Sequence, residues 1–139
     1  MPASPPREQL LLVDDEEEAL NELAELLDGE GFRCHVATSV KLALQQLTRH
    51  PDIALVITDL NMPEESGISL IKRLRDHTAR EYLPVIVCSG QIDSAISDEL
   101  QRLQVQGVFR KPIYHTRLLD TLSSLFPLES MQDRLHAVP

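Results

Sequence analysis

Short runs rich in Val, Ile and Leu alternate along this chain with longer segments whose apolar residues recur at helical spacing. Gln9–Val13 (QLLLV) is an apolar run that ends abruptly in acids, as a strand buried on both faces of a parallel sheet does. Ala19, Leu23, Leu26 and Leu27 then repeat at i, i+4, i+7 and i+8, and Gly29 and Gly31 stop that predicted helix. The alternation continues four more times. FRCHVAT predicts a second strand, and Val40, Ala43, Leu44 and Leu47 stripe a helix entered at Ser39 and closed by Pro51. DIALVIT predicts a third strand ending at Asp59, followed by a loop through Pro63 and a helix striped by Ile68, Ile71 and Leu74. LPVIVCS is the fourth strand, with Ile92, Ile96, Leu100 and Leu103 along the helix after it. GVFR is a short fifth, and Leu118, Leu122 and Leu125 stripe the last helix before Pro127.

Five strand-helix pairs in about 120 residues predict one α/β domain, a parallel sheet covered by helices on both faces. Proline marks its edges: five of nine lie at the ends, which bounds a body at residues 8–126 between a tail at 1–7 and another at 127–139. Composition adds a charge asymmetry. The net charge of −9 lies entirely in residues 1–30, which hold ten acids and Arg7, while the remainder balances. Without a basic patch, direct nucleic-acid binding is not expected. The start MPASPPREQ carries no apolar run after a basic segment, so the expected location is cytoplasmic, without an anchor or secretory signal. Cys34 and Cys88 sit in strand-like runs and are expected as buried free thiols. The five histidines are scattered without metal spacing and are expected at the surface or the core edge.

Right-handed crossovers place every strand's carboxyl end on one edge, where such folds bind ligands. The first strand delivers Asp14 and Asp15 there, the third Asp59, the fourth Ser89 and the fifth Lys111 followed by Pro112. Clustered carboxylates repel unless a cation neutralises them, and an all-oxygen site suits Mg²⁺, or Mn²⁺. Asp59, alone on the central strand, is then the candidate nucleophile toward a phosphoryl group. Lys111 and the Ser89 hydroxyl would stabilise charge on the phosphoryl oxygens.

In LLLVDDE, VITDLNMPEESG, VIVCSG and FRKPI, at intervals of 44 residues from Asp15 to Asp59, 30 to Ser89 and 52 to Lys111, the chain resembles the receiver domain of two-component response regulators. The resemblance implies a flavodoxin-like (βα)5 doubly wound fold with strand order 2-1-3-4-5. It implies that Asp59 accepts phosphate from a histidine kinase or a histidine phosphotransfer protein. Asp15 and Asp59 would bind Mg²⁺ directly, Asp14 through water, and Asn61 through its backbone carbonyl. Lys111 would contact the phosphoryl group, Ser89 would reorient to hydrogen-bond it, the Lys111-Pro112 bond would be cis, and Gly67 would start the helix after the loop. Such a chain is not an enzyme toward other substrates; it catalyses only its own phosphorylation and dephosphorylation.

The chain departs from that family at Val108, where receivers usually place Tyr or Phe; Phe109 points to the other face of the strand and does not substitute. The alternative reading is therefore a degenerate receiver, an interaction module independent of phosphorylation. The family implies a docking or homodimer face on the last two helices and fifth strand, where Val108, Ile113, Tyr114 and Leu118 are expected. A phosphatase of the haloacid dehalogenase type would need a second aspartate where Asn61 stands. A flavodoxin-like nucleotide binder would not carry Asp14 and Asp15 after its first strand. Leu128, Met131 and Leu135 have helical spacing, expected as a linker stub or helix extension.

Overall fold

A computed structural model describes residues 7–127, so the expectation for Leu128, Met131 and Leu135 lies outside the described residues. Five strands form one parallel sheet: β1 (Gln9–Val13), β2 (Arg33–Ala37), β3 (Ile53–Thr58), β4 (Val85–Ser89) and β5 (Gly107–Arg110), in the order β2-β1-β3-β4-β5. The helices are α1 (Glu17–Gly29), α2 (Val40–Arg49), α3 (Gly67–Asp76), α4 (Ser94–Arg102) and α5 (His115–Leu125).

Alternation along the central strands divides the core in two. Leu11 and Val13 point to one face, where they pack with Val40, Ala43 and Leu47 of α2, Leu70, Ile71 and Leu74 of α3, and Leu100 of α4. Leu10 and Leu12 point to the other, against Leu20 and Leu27 of α1 and Leu118 and Leu122 of α5. Both faces of β1, β3 and β4 are thus covered, which is why these strands read as continuous apolar runs. Three helices are capped by the side chain before them: Ser39 accepts from Leu42 N, Ser66 from Ser69 N and Asp93 from Ile96 N. Arg75 of α3 ties the far edge together by donating to the carbonyls of Leu83 and Leu103, each at 2.8 Å.

Four expectations need correction. The α1 face turned to the sheet is Leu20, Leu23, Ala24 and Leu27, with Ala19 and Leu26 only half-buried. Six apolar residues in this helix offered two overlapping stripes, and packing on the sheet selects the one at i, i+3, i+4, i+7. Ile92 precedes α4 rather than lying on it. Leu118, expected on a docking face, is fully buried under β4 and β5, because α5 turns its one strong stripe inward. Cys34 is half-buried, since β2 is an edge strand, whereas Cys88 in β4 is buried.

The histidines are not all apart. The rings of His35 (β2) and His50 (after α2) stack with centroids 3.9 Å apart, and His35 Nε2 lies 2.9 Å from Gln9 Oε1. Burial first, then His50 and Arg33, hold the His35 imidazole below its ordinary value of 6.5. The folded chain therefore binds fewer protons at this residue than the unfolded chain, so its contribution is complete above about pH 6.5 and declines as pH falls below that. The expected result is a thermal midpoint that drops between about pH 8 and about pH 5, and drops less in His35→Gln. Equal pH slopes in the two proteins would contradict it.

Candidate functional site

Register brings the strand-end residues together. Val13 pairs with Thr58 across β1 and β3, so Asp14 and Asp59, each one residue further, emerge side by side. Their backbones continue the ladder: Asp14 N donates to Ala37 O at 3.1 Å and Asp59 N to Val13 O at 2.9 Å. Ser89 pairs with Arg110 across β4 and β5, which sets Lys111 just beyond Ser89, with Lys111 N donating to Ser89 O at 3.0 Å. The Lys111-Pro112 bond is cis.

The ammonium of Lys111 reaches back over the sheet edge to two carboxylates. Its Nζ lies 2.6 Å from Asp14 Oδ2 and 2.9 Å from Asp59 Oδ2. Burial draws the lysine downward, but the two hydrogen bonds and the charges of Asp14 and Asp59 outweigh it and hold Lys111 well above the ordinary lysine range. It stays cationic at every physiological pH. Asp14 Oδ1 accepts from Glu16 N at 3.0 Å, and Asp59 Oδ1 accepts from Leu60 N at 2.6 Å and Asn61 N at 3.1 Å. The oxygen bound by two backbone N–H groups fixes the plane of the Asp59 carboxylate, and the other oxygen faces the ammonium.

Asp14 and Asp59 are each 8% exposed, whereas Asp15 lies open to solvent. Ligand oxygens of all three come within 4.8 Å of one another. Three carboxylates against one ammonium leave two negative charges unbalanced, and the donors are all oxygen. That combination fits a hard divalent cation such as Mg²⁺ or Mn²⁺. Asn61 stands exposed at the mouth, two residues after Asp59, where its backbone can contribute to the same site.

One contact in the site was not foreseen. The Asn61 side chain donates from Nδ2 to Ser89 Oγ at 3.2 Å, over a serine that is itself fully buried. With that lone pair occupied, the Ser89 hydroxyl keeps its proton available for an acceptor. Beneath the site, burial pushes the Cys88 thiol up to about 12; Lys111 opposes the shift and the two aspartates add to it. A protonated thiol is no nucleophile, so Cys88 does not compete with Asp59.

Gly67 supports the site from behind. A Cβ there would overlap the Asp59 carbonyl oxygen and lie 3.0 Å from both Asp59 C and Leu60 Cα. Gly67 N also donates to Leu60 O at 3.0 Å. The first residue of α3 thus presses directly on the backbone of Asp59, which only glycine permits. At the other edge, Val108 is 42% exposed, while Phe109 turns inward to pack with the α1 and α5 side of the core.

A family model for the response regulator receiver domain matches residues 10–123. The two-component response regulator PprB of Pseudomonas aeruginosa is 30% identical over 128 residues, which make up 91% of this chain and 44% of PprB. The sensory/regulatory protein RpfC of Xanthomonas campestris is 28% identical over 119 residues, 84% of this chain and 16% of RpfC. The chain thus spans less than half the length of these curated relatives. Among solved structures, a response regulator receiver protein from Pseudomonas putida superposes with a TM-score of 0.81 at 31% identity, over 88% of this chain and 98% of that one. The chemotaxis protein CheY4 of Vibrio cholerae matches with a TM-score of 0.80 at 22% identity, over 86% and 99%, a likeness of fold. No helix among the described residues is long and apolar enough to cross a membrane. Match and architecture agree over nearly all of the described residues, and the chain belongs to the response regulator receiver domain family.

Proposed function

We propose that this chain is a phosphoaccepting receiver in which Asp59 takes a phosphoryl group from the phosphohistidine of a histidine kinase or phosphotransfer protein. The observation that carries the reading is the shared ammonium, with Lys111 Nζ in contact with Asp14 and Asp59 inside a carboxylate cluster that keeps two charges unbalanced. Asp59 Oδ2 attacks phosphorus, the phosphorus–nitrogen bond of the donor breaks with its electron pair returning to the imidazole, and an acyl phosphate forms on Asp59. Oδ1 stays on the N–H groups of Leu60 and Asn61 throughout, so the carboxylate is oriented before the donor arrives. Lys111 then exchanges part of its contact with Asp59 for the phosphoryl oxygens, and the Ser89 hydroxyl donates to them. Asp15, Asp59 and the Asn61 carbonyl directly, with Asp14 through water, would hold Mg²⁺ or Mn²⁺, which would supply positive charge against the phosphoryl oxygens. Water later cleaves the acyl phosphate, so the chain promotes its own phosphorylation and dephosphorylation and turns over no other substrate. The output passes through a docking face at α4, β5 and α5, where Val108 and Tyr114 are exposed at 42% and 70%; pairing of two copies belongs to the same face.

A small phosphodonor, acetyl phosphate, tests the reading without a cognate kinase. With Mg²⁺ present, intact mass should show a gain of one phosphoryl group that survives acid and is lost in base. Chelating the metal should slow that gain on the order of 100-fold, the effect of removing several kcal/mol of charge stabilisation. Uptake at an equal rate in chelator would contradict the metal assignment. No uptake from any donor would contradict the phosphoacceptor reading and leave the phosphorylation-independent module in its place.

A further inference from the structure

Ser89 and Lys111, the two side chains assigned to the phosphoryl group, begin segments that diverge from the sheet edge. After Ser89 the chain runs through Gly90, Gln91 and Ile92 to Asp93, the cap of α4. Among the described residues no backbone hydrogen bond ties Gly90, Gln91 or Ile92 to the sheet, and a Cβ at Gly90 would meet no atom within 4 Å. What does tie this segment is a side chain from the neighbouring strand. Arg110, the residue before Lys111, donates from Nη2 to Ile92 O at 2.7 Å. Arg110 and Ile92 both line an open surface groove of about 380 Å³, together with Asp93, Ser94, Ser97 and Val108. Ile92 is 8% exposed and yet belongs to neither half of the apolar core, so its position depends on this local packing.

We infer that Arg110 is a positioning residue, a strap that makes the start of α4 follow the state of Asp59. The inference rests on the phosphoacceptor reading above. Ser89 is fully buried with its hydroxyl bonded to Asn61, so turning toward a phosphoryl group on Asp59 displaces the end of β4 and draws Gly90–Ile92 with it. Lys111 shifts at the same time, because its ammonium exchanges part of its contact with Asp59 for the phosphoryl oxygens, and Arg110 is its immediate neighbour. A charge-assisted hydrogen bond from β5 to the moving segment joins the two displacements and delivers them to Asp93 and the first turn of α4. Val108 lines the same groove as Arg110 and is 42% exposed. Arg110 touches none of the reacting atoms, and without it Ser89 can still reach the phosphoryl group while α4 is no longer held to it.

The test compares wild type, Arg110→Ala and Arg110→Lys, each as the whole 139-residue chain, by mass and by backbone amide spectra before and during steady-state phosphorylation with acetyl phosphate and Mg²⁺. Arg110→Ala should take up phosphate at a rate within about twofold of wild type. Its phosphorylation-induced shifts over Ser94–Arg102 should fall to less than about half of the wild-type values, while those around Asp59 persist. Arg110→Lys, which keeps a cationic donor of similar reach, should recover much of the loss. Equal α4 shifts in wild type and Arg110→Ala, with both phosphorylated, would overturn the strap alone. Absence of uptake in the wild type would overturn the phosphoacceptor reading, and the strap with it.

Discussion

Asparagine in place of Asp59 should abolish phosphoryl uptake and leave the fold intact. The substitution keeps the shape of the side chain, and its amide oxygen can still accept from the N–H groups of Leu60 and Asn61. What it removes is the anionic oxygen that faces Lys111 at 2.9 Å and serves as the nucleophile. A neutral amide has no comparable nucleophilicity, so the expected result is no mass gain at donor concentrations that saturate the wild type. Folding should be little affected. The cluster loses one of three mutually repelling carboxylates, and Lys111 retains Asp14 at 2.6 Å, so the change in stability should stay within about 1 kcal/mol in either direction. A variant that still gains a phosphoryl group would move the acceptor to another residue. Thermal unfolding run beside the mass measurement separates loss of chemistry from loss of structure.

Alanine at position 67 should damage stability and chemistry together. No open space receives the new methyl group: it meets the Asp59 carbonyl oxygen and the backbone at Leu60, neither of which is the loose end of a flexible side chain. Either α3 withdraws from the sheet or the Asp59 backbone shifts, and each route breaks the Gly67 N to Leu60 O hydrogen bond or strains the ladder bond from Asp59 N to Val13 O. Overpacking of this kind costs about 3 kcal/mol when backbone must move. A displacement of the nucleophile by even a fraction of an ångström also disturbs alignment with the donor, so uptake in the folded fraction should slow at least about tenfold. Unfolding in denaturant measures the first effect and initial rates of mass gain the second. Wild-type stability with a wild-type rate would show that Gly67 does not set the position of Asp59.

Much of this architecture was legible because strand and helix patterns do not overlap here. The runs ending at Val13, Thr58 and Ser89 are apolar on both faces, which only a doubly covered parallel sheet explains, and their carboxyl ends name Asp14, Asp59 and Ser89 without further information. Lys111 was visible for the same reason, one residue past β5. The residues that escaped are those whose role depends on distances between elements that are not neighbours in the chain. Asn61 was read for its backbone, yet its side chain meets Ser89 across 28 positions because β3 and β4 pair in one particular register. Arg110 carries no motif of its own in the sequence, and only the path of the β4–α4 segment places Ile92 O within its reach. His35 and His50 lie 15 positions apart with no shared motif, and stack because the turn after α2 returns beside the edge strand. In α1 the pattern held too many apolar residues rather than too few, so the face was settled by packing on the sheet. Gly67 was expected at the start of its helix, but nothing in composition reveals that its missing Cβ makes room for the backbone of the nucleophile.

The central claim is that a single carboxylate, Asp59, carries the phosphoryl group. Its most direct test is to phosphorylate the protein with acetyl phosphate and Mg²⁺, reduce the acyl phosphate with borohydride, digest the chain and locate the reduced residue by peptide mass spectrometry. Reduction converts an aspartyl phosphate to homoserine, and the assignment predicts homoserine at position 59 with Asp14 and Asp15 unchanged. Homoserine at Asp14 or Asp15, or a phosphoryl group found on a histidine or serine with Asp59 unmodified, would contradict it.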